Sequence, residues 1–153
     1  MLIGIDPLLS PECLATLRAM GHGDEVVLGD ANFPAEASAR RLVRLDGVPL
    51  VPVLRAVLSV LPVDTFEPDP LASMSQVDDP DAVPEAVADM QAVVREMLGS
   101  ELTITPMERF AFYERTRRAH AVIATGERRF YGNLIIRKGV VSPPEEMAAG
   151  SRP

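Results

Sequence analysis

His22 lies between Gly21 and Gly23, and the apolar run Val26-Val27-Leu28-Gly29 that follows stops on Asp30. Two glycines let the backbone turn sharply and expose an imidazole, the side chain best suited to passing protons near neutral pH. Asp30 stands where a strand of an α/β sheet would end, the position at which such sheets meet their ligands. The pattern predicts a base and an acid facing one edge, a pair fit for general acid–base chemistry. A structural account of the same residues is also open. Gly21 suits the left-handed residue that follows a helix, and a histidine beside it can stabilise the carbonyl end of the helix dipole.

Arg109 is the next residue that asks for a reason. It falls in the first turn of a predicted helix, where the exposed amides disfavour a cation. An anionic or hydroxyl-rich ligand would account for it, and so would an ion pair with a neighbouring acid. Phe110, Phe112 and Tyr113 follow at a spacing that points to core. His120 reads as structural, and Arg115, Arg117 and Arg118, diluted by Glu114, read as a solvated helix face.

These groups need elements to hold them. Ser10-Pro11-Glu12 is a helix start with Ser10 as N-cap, and Leu14, Leu17 and Met20 form its buried stripe up to Gly21. Leu50, Val53, Leu54, Val57, Leu58 and Leu61 predict an amphipathic helix over 49–61, and Val87, Met90, Val93, Val94 and Met97 another over 86–98. Thr105-Pro106-Met107-Glu108 has the form of a capping box, which predicts a fourth helix with Thr105 as N-cap. Strands are predicted over 26–29, 42–45, 63–66, 71–77, 102–105, 121–125 and 133–137. The fold class is therefore α/β: one domain over 1–141, a mixed sheet flanked by helices, with a mobile Pro-, Glu-, Ala- and Gly-rich tail over 142–153.

Several function classes are disfavoured. With 153 residues and 47% apolar content the chain supports one core, and its single cysteine, Cys13, offers neither a disulfide framework nor a metal spacing. A formal charge of −7 argues against a nucleic-acid partner. Residues 1–6 lack a basic leader, and the most apolar window, 48–63, is broken by Pro49, Pro52, Arg55 and Pro62, so no export signal or membrane span is expected and the cytoplasm is the default. Gly21-His-Gly23 lacks a third glycine and a following helix, and no nucleophile elbow or zinc-hydrolase helix is present.

Four separated segments then point one way. Met-Gly-His-Gly-Asp-Glu (20–25), Asp-Ala-Asn-Phe-Pro-Ala (30–35), Glu-Arg-Phe-Ala-Phe-Tyr-Glu-Arg (108–115) and Ala-Thr-Gly-Glu with Tyr-Gly-Asn and Lys-Gly-Val (124–140) resemble the fucose-converting branch of the D-ribose pyranase/L-fucose mutarotase family. The likeness runs over about 8–141. It implies a D-ribose pyranase-like fold and a ring-like homo-oligomer, commonly a decamer, with monosaccharide sites near subunit boundaries. It implies no metal and no organic cofactor. Carried over residue by residue, it implies a proton-donating His22, a substrate-binding Asp30, a substrate-binding Arg109, and a sugar-binding run at Tyr131, Gly132 and Asn133. Asn32 departs from the histidine of many bacterial relatives. Tyr-Gly-Asn in place of Tyr-Ala-Asn, and Met107-Glu108-Arg109 where the ribose branch has a histidine, favour the fucose branch.

The residue types suit that chemistry. Interconverting the anomers of a pyranose requires the anomeric hydroxyl to lose a proton and the ring oxygen to gain one, after which the aldehyde rotates and the ring recloses. His22 suits the ring oxygen, Asp30 can orient His22 or hold a hydroxyl, Tyr131 suits the anomeric oxygen, and Arg109 and Asn133 supply directional hydrogen bonds. The alternatives are D-ribose pyranase activity, which recloses through a different hydroxyl, and a non-catalytic monosaccharide-binding accessory protein of sugar transport.

Overall fold

Short apolar segments alternate with amphipathic ones, and in the computed structural model, which describes residues 1–143, they fold into a six-stranded mixed sheet between two helical layers. The elements are α1 (Pro11–Ala19), β1 (Glu25–Gly29), α2 (Ala35–Ser38), β2 (Leu42–Leu45), α3 (Leu50–Leu58), β3 (Leu71–Met74), α4 (Glu85–Leu98), β4 (Thr105–Met107), α5 (Arg109–Arg118), β5 (Ala121–Thr125) and β6 (Leu134–Arg137). Strand order is β2-β5-β1-β6-β3-β4. Only β6 runs against its neighbours, pairing antiparallel with both β1 and β3, so the other five strands share one direction. Their carboxyl ends and the amino end of β6 therefore meet at one edge of the sheet.

Alternate side chains of the strands feed two cores, as a period of two dictates. Val26, Leu28, Ile123, Leu134 and Ile136 pack under α1, α3 and α4, while Val27, Val122, Ile135 and Ala72 pack under α5 with Phe112. The central strands are buried on both faces, as the crossover helices of a largely parallel sheet require. No helix among the described residues is long and apolar enough to cross a membrane. Of the segment expected as a tail, residues 144–153 lie outside the described residues.

The structure corrects four local expectations. Ser10 caps α1 as expected, its hydroxyl accepting from the Cys13 N–H at 3.1 Å, but the helix closes on Met20 in extended geometry, and the left-handed residue is Gly23 (φ 84°) rather than Gly21. Residues 63–66 form no strand. Val63 makes a single bridge to Lys138, after which the Asp64 carboxylate accepts the Phe66 N–H at 3.1 Å and turns the chain away from the ladder. Residues 102–104 are also irregular. The Gln91 side chain on α4 donates to the Leu102 carbonyl at 3.0 Å and accepts from the Ile104 N–H at 2.7 Å, doing what a partner strand would have done. Thr105 is not a cap: Thr105–Met107 is β4, pairing with β3, and α5 begins one turn later with Glu108 as N-cap, its carboxylate accepting from the N–H groups of Phe110 (2.8 Å) and Ala111 (3.0 Å). The short α2 was not expected at all.

Candidate active site

Asp30 follows β1 directly at the shared carboxyl edge, and Asn133 stands just before β6 at the same place. The two side chains lock together. The Asp30 N–H donates to Asn133 Oδ1 at 2.9 Å, and Asn133 Nδ2 donates back to Asp30 Oδ2 at 3.0 Å. Asn32 closes the turn, its N–H donating to Asp30 Oδ1 at 2.9 Å. Asp30 is only 6% exposed, and burial pushes its carboxyl above the ordinary value. The hydrogen bonds from Asn32, Asn133 and Phe33 hold that rise back, and the charge of Glu127 adds to it.

An open cleft of about 460 Å³ lies in front of this pair, lined by Asn32, Phe33, Met74, Arg109, Tyr113 and Tyr131 among others. Arg109, the first residue of α5, is brought there because β4 ends at the same edge as β1. The expected alternative for it, an ion pair, is not found among the described residues; its guanidinium carbon lies 4.8 Å from the centroid of the Phe110 ring instead. Tyr131 adopts a left-handed backbone (φ 61°), uncommon outside glycine, and its hydroxyl accepts from the Val77 N–H at 3.3 Å. Phe33 and Tyr113, with ring centroids 5.7 Å apart, form an apolar wall. The cleft thus offers a carboxylate, an amide, a guanidinium and a phenol beside an aromatic wall, a set suited to a neutral, hydroxyl-rich ligand with one apolar flank.

Gly132 is placed by packing. A Cβ there would come within 2.7 Å of Glu127 Cγ and 3.6 Å of Asp30 Cβ. Glu127, which closes the Ala-Thr-Gly-Glu segment, carries no role that its sequence position alone would mark. It is buried and held at both oxygens by Arg129, Nε to Oε1 and Nη2 to Oε2, each at 3.0 Å, which brings its carboxyl down to about 2. Its backbone carbonyl also accepts the Ala31 N–H at 2.8 Å. This buttress fixes the loop that presents Tyr131 and Asn133 against the loop that carries Asp30.

His22 is not in this cleft. It precedes β1 while Asp30 follows it, so within one chain they sit at opposite edges of the sheet, about 17 Å or more apart for a five-residue strand. The expectation that they face one edge fails because Asp24 and the whole of β1 intervene. At the far edge His22 has other neighbours. Its Nε2 lies 3.3 Å from Oδ1 of Asp64, its ring meets Phe66 edge-on with centroids 5.8 Å apart, and it borders a groove with Leu61, Lys138 and Val140. The turn carrying it is tied to the end of β6: the Gly23 N–H donates to the Lys138 carbonyl at 2.9 Å and Lys138 Nζ to the Met20 carbonyl at 2.7 Å. Asp64 escaped the sequence reading because a lone acid in a proline-bounded segment carries no spacing signal.

Comparison with known proteins gives a consistent result. A family model described as the RbsD / FucU transport protein family matches residues 3–141. The chain is 44% identical over 151 residues to the fucose mutarotase of Danio rerio, covering 95% of this chain and 97% of that protein. It is 41% identical over 140 residues to the L-fucose mutarotase of Actinobacillus pleuropneumoniae, covering 92% and 97%. Among solved structures, the fucose mutarotase of Streptococcus pneumoniae in complex with L-fucose superposes with a TM-score of 0.86 at 38% identity, over 92% of this chain and 100% of that one.

Proposed function

Because the chain belongs to the RbsD / FucU transport protein family, we propose that it is an isomerase, a mutarotase interconverting the α and β anomers of L-fucose or a closely related pyranose by ring opening and reclosure. The observation that carries the reading to these residues is the interlocked Asp30–Asn133 pair facing Arg109 and Tyr131 across one cleft. Fixed acceptors and donors of that kind orient the hydroxyls of a neutral sugar. Phe33 and Tyr113 give the 6-methyl group of L-fucose a wall, worth about 0.8 kcal/mol for one buried methyl, so hydroxyl geometry supplies the rest of the preference.

In the opening step the bond from C1 to the ring oxygen breaks. The ring oxygen takes its proton from the His22 imidazolium, and the electrons of the anomeric O–H bond form the aldehyde. The anomeric proton leaves through the Tyr131 hydroxyl, which passes its own proton to water. After rotation about C1–C2 every transfer runs backwards and the other anomer closes. His22 of the same chain is at the wrong edge for this, so the proton donor comes from a second copy: His22 of one subunit overhangs the cleft of the next in a ring-like homo-oligomer, a decamer in this reading, working in the cytoplasm.

Exchange NMR on equilibrated L-fucose tests the activity. Substoichiometric protein is expected to raise the anomer exchange rate, more for L-fucose than for D-ribose, and His22→Ala to lower it by roughly 100-fold. Sugar binding without any rise in exchange would make the protein a carrier or sensor, and equal or faster exchange with D-ribose would reassign the substrate.

A further inference from the structure

Asp64 is a buried acid that nothing in the cleft chemistry accounts for. Its side chain is 1% exposed, yet it lies beside a His22 side chain that is 47% exposed. One carboxylate oxygen, Oδ1, serves both the Phe66 N–H at 3.1 Å and His22 Nε2 at 3.3 Å, while Oδ2 has no hydrogen-bond partner among the described residues. A carboxylate kept out of water with one oxygen unserved is costly, and a turn-closing role needs only the Phe66 contact, which an exposed side chain would make at less cost. The surroundings hold it there deliberately close. The Asp64 N–H donates to the Arg137 carbonyl at 3.0 Å, and Gly139 lets the segment approach, since a Cβ at that position would come within 2.6 Å of the Val63 carbonyl oxygen and 2.9 Å of Asp64 Cα.

We propose that Asp64 is the positioning residue of the proton donor: its carboxylate holds the N–H of His22 Nε2, so that Nδ1 is the nitrogen turned outward to exchange protons with the sugar. The hydrogen bond at one ring nitrogen decides which tautomer the neutral imidazole adopts and steadies the imidazolium when it forms. Phe66, itself exposed, packs edge-on against one side of the ring. Burial pulls the Asp64 carboxyl upward, but the Phe66 N–H, the His22 contact and the His22 charge outweigh it and leave it below the ordinary carboxylate value, so the acid is ionised when His22 has to carry a proton. The 3.3 Å separation is longer than the 2.7–2.9 Å typical of a charge-assisted pair, which leaves room for the contact to tighten on protonation of the ring.

This inference rests on reading His22 as the proton donor, and loss of exchange in His22→Ala tests that separately. The Asp64 assignment is tested without turnover by nitrogen-15 NMR of the histidine rings in the assembled protein. The expected result is a neutral His22 whose proton sits on Nε2, protected from exchange with water, with the protection lost in Asp64→Ala. A neutral His22 carrying its proton on Nδ1 would overturn the proposal. In kinetics, Asp64→Asn keeps the shape but removes the charge, and is expected to lower kcat for L-fucose about tenfold or more with KM within about twofold; Asp64→Ala, which also releases the ring, is expected to lose about 100-fold. A wild-type kcat in Asp64→Asn, in protein of normal mass and melting temperature, would overturn it even if Asp64→Ala fails to fold.

Discussion

Asp30 and Glu127 lie on touching loops and are shifted in opposite directions, with opposite consequences for stability. Glu127 is held at about 2 when folded and titrates near 4.5 when free. Its contribution is therefore complete above about pH 4.5 and lost as the pH falls toward 2, at most about 3 kcal/mol. Glu127→Gln is expected to melt earlier than the parent at pH 7, with the gap closing as the pH approaches 2, which thermal scans across that range would check. Asp30 has the reverse sign. Burial raises its folded value, so its ionised form costs stability above that value, and folding gains as the pH falls through it. Asp30→Asn removes that charge but sets an amide N–H against Asn133 Nδ2, two opposed effects, and is expected to stay folded at pH 7 while losing sugar turnover. A variant that is both inactive and unstable at neutral pH would mean that Asp30 serves the fold and not the sugar. Both residues were visible in the sequence, but only Asp30 had a legible role, because a strand terminus is a positional signal and the Glu127–Arg129 clasp needs the loop to fold first.

Among the elements, the helices with a clean stripe were legible: α1, α3 and α4 lie within two or three residues of the expected spans, since period and capping are local properties. What failed was decided by partners distant in sequence. Residues 102–104 look like a strand until Gln91 takes their backbone groups, and Thr105 looks like a cap until β3 pairs with it. The placing of His22 and Asp30 at opposite edges was, by contrast, a local property, since the strand predicted over 26–29 already lies between them and carries the chain from one edge to the other. The loop 126–133 is the element on which the cleft depends. Gly132→Ala puts a methyl group against Glu127 Cγ and close to Asp30 Cβ, which is expected to cost about 1–3 kcal/mol by overpacking and to reduce turnover more than a surface loop change would. Wild-type turnover in Gly132→Ala would show that the loop tolerates displacement and that Gly132 does not set the spacing of the cleft.

At the scale of the whole molecule the two halves of the proposed chemistry are separated, and the surface suggests how they would meet. Phe110 and Phe130 are exposed beside the cleft edge, and Phe66, Val140 and Val141 are exposed beside His22. Apolar patches at opposite edges of one subunit suit a head-to-tail contact, the kind that closes into a ring when the rotation permits. Light scattering is expected to return a mass well above that of a dimer. The sharper test is complementation. His22→Ala and Asp30→Asn are each expected to be inactive alone, because every site in either assembly lacks one partner. When equal amounts are refolded together, His22 of an Asp30→Asn subunit can face the intact cleft of a His22→Ala subunit. Random mixing makes about one boundary in four wholly wild-type, so activity is expected to return to about a quarter of the parent's. If each site drew both residues from one chain, no mixing could restore it, because every chain carries one defect. Exchange in the mixture no higher than in the separate variants, at a confirmed mixed mass, would therefore place the whole site within one subunit and remove His22 from the reaction at that cleft.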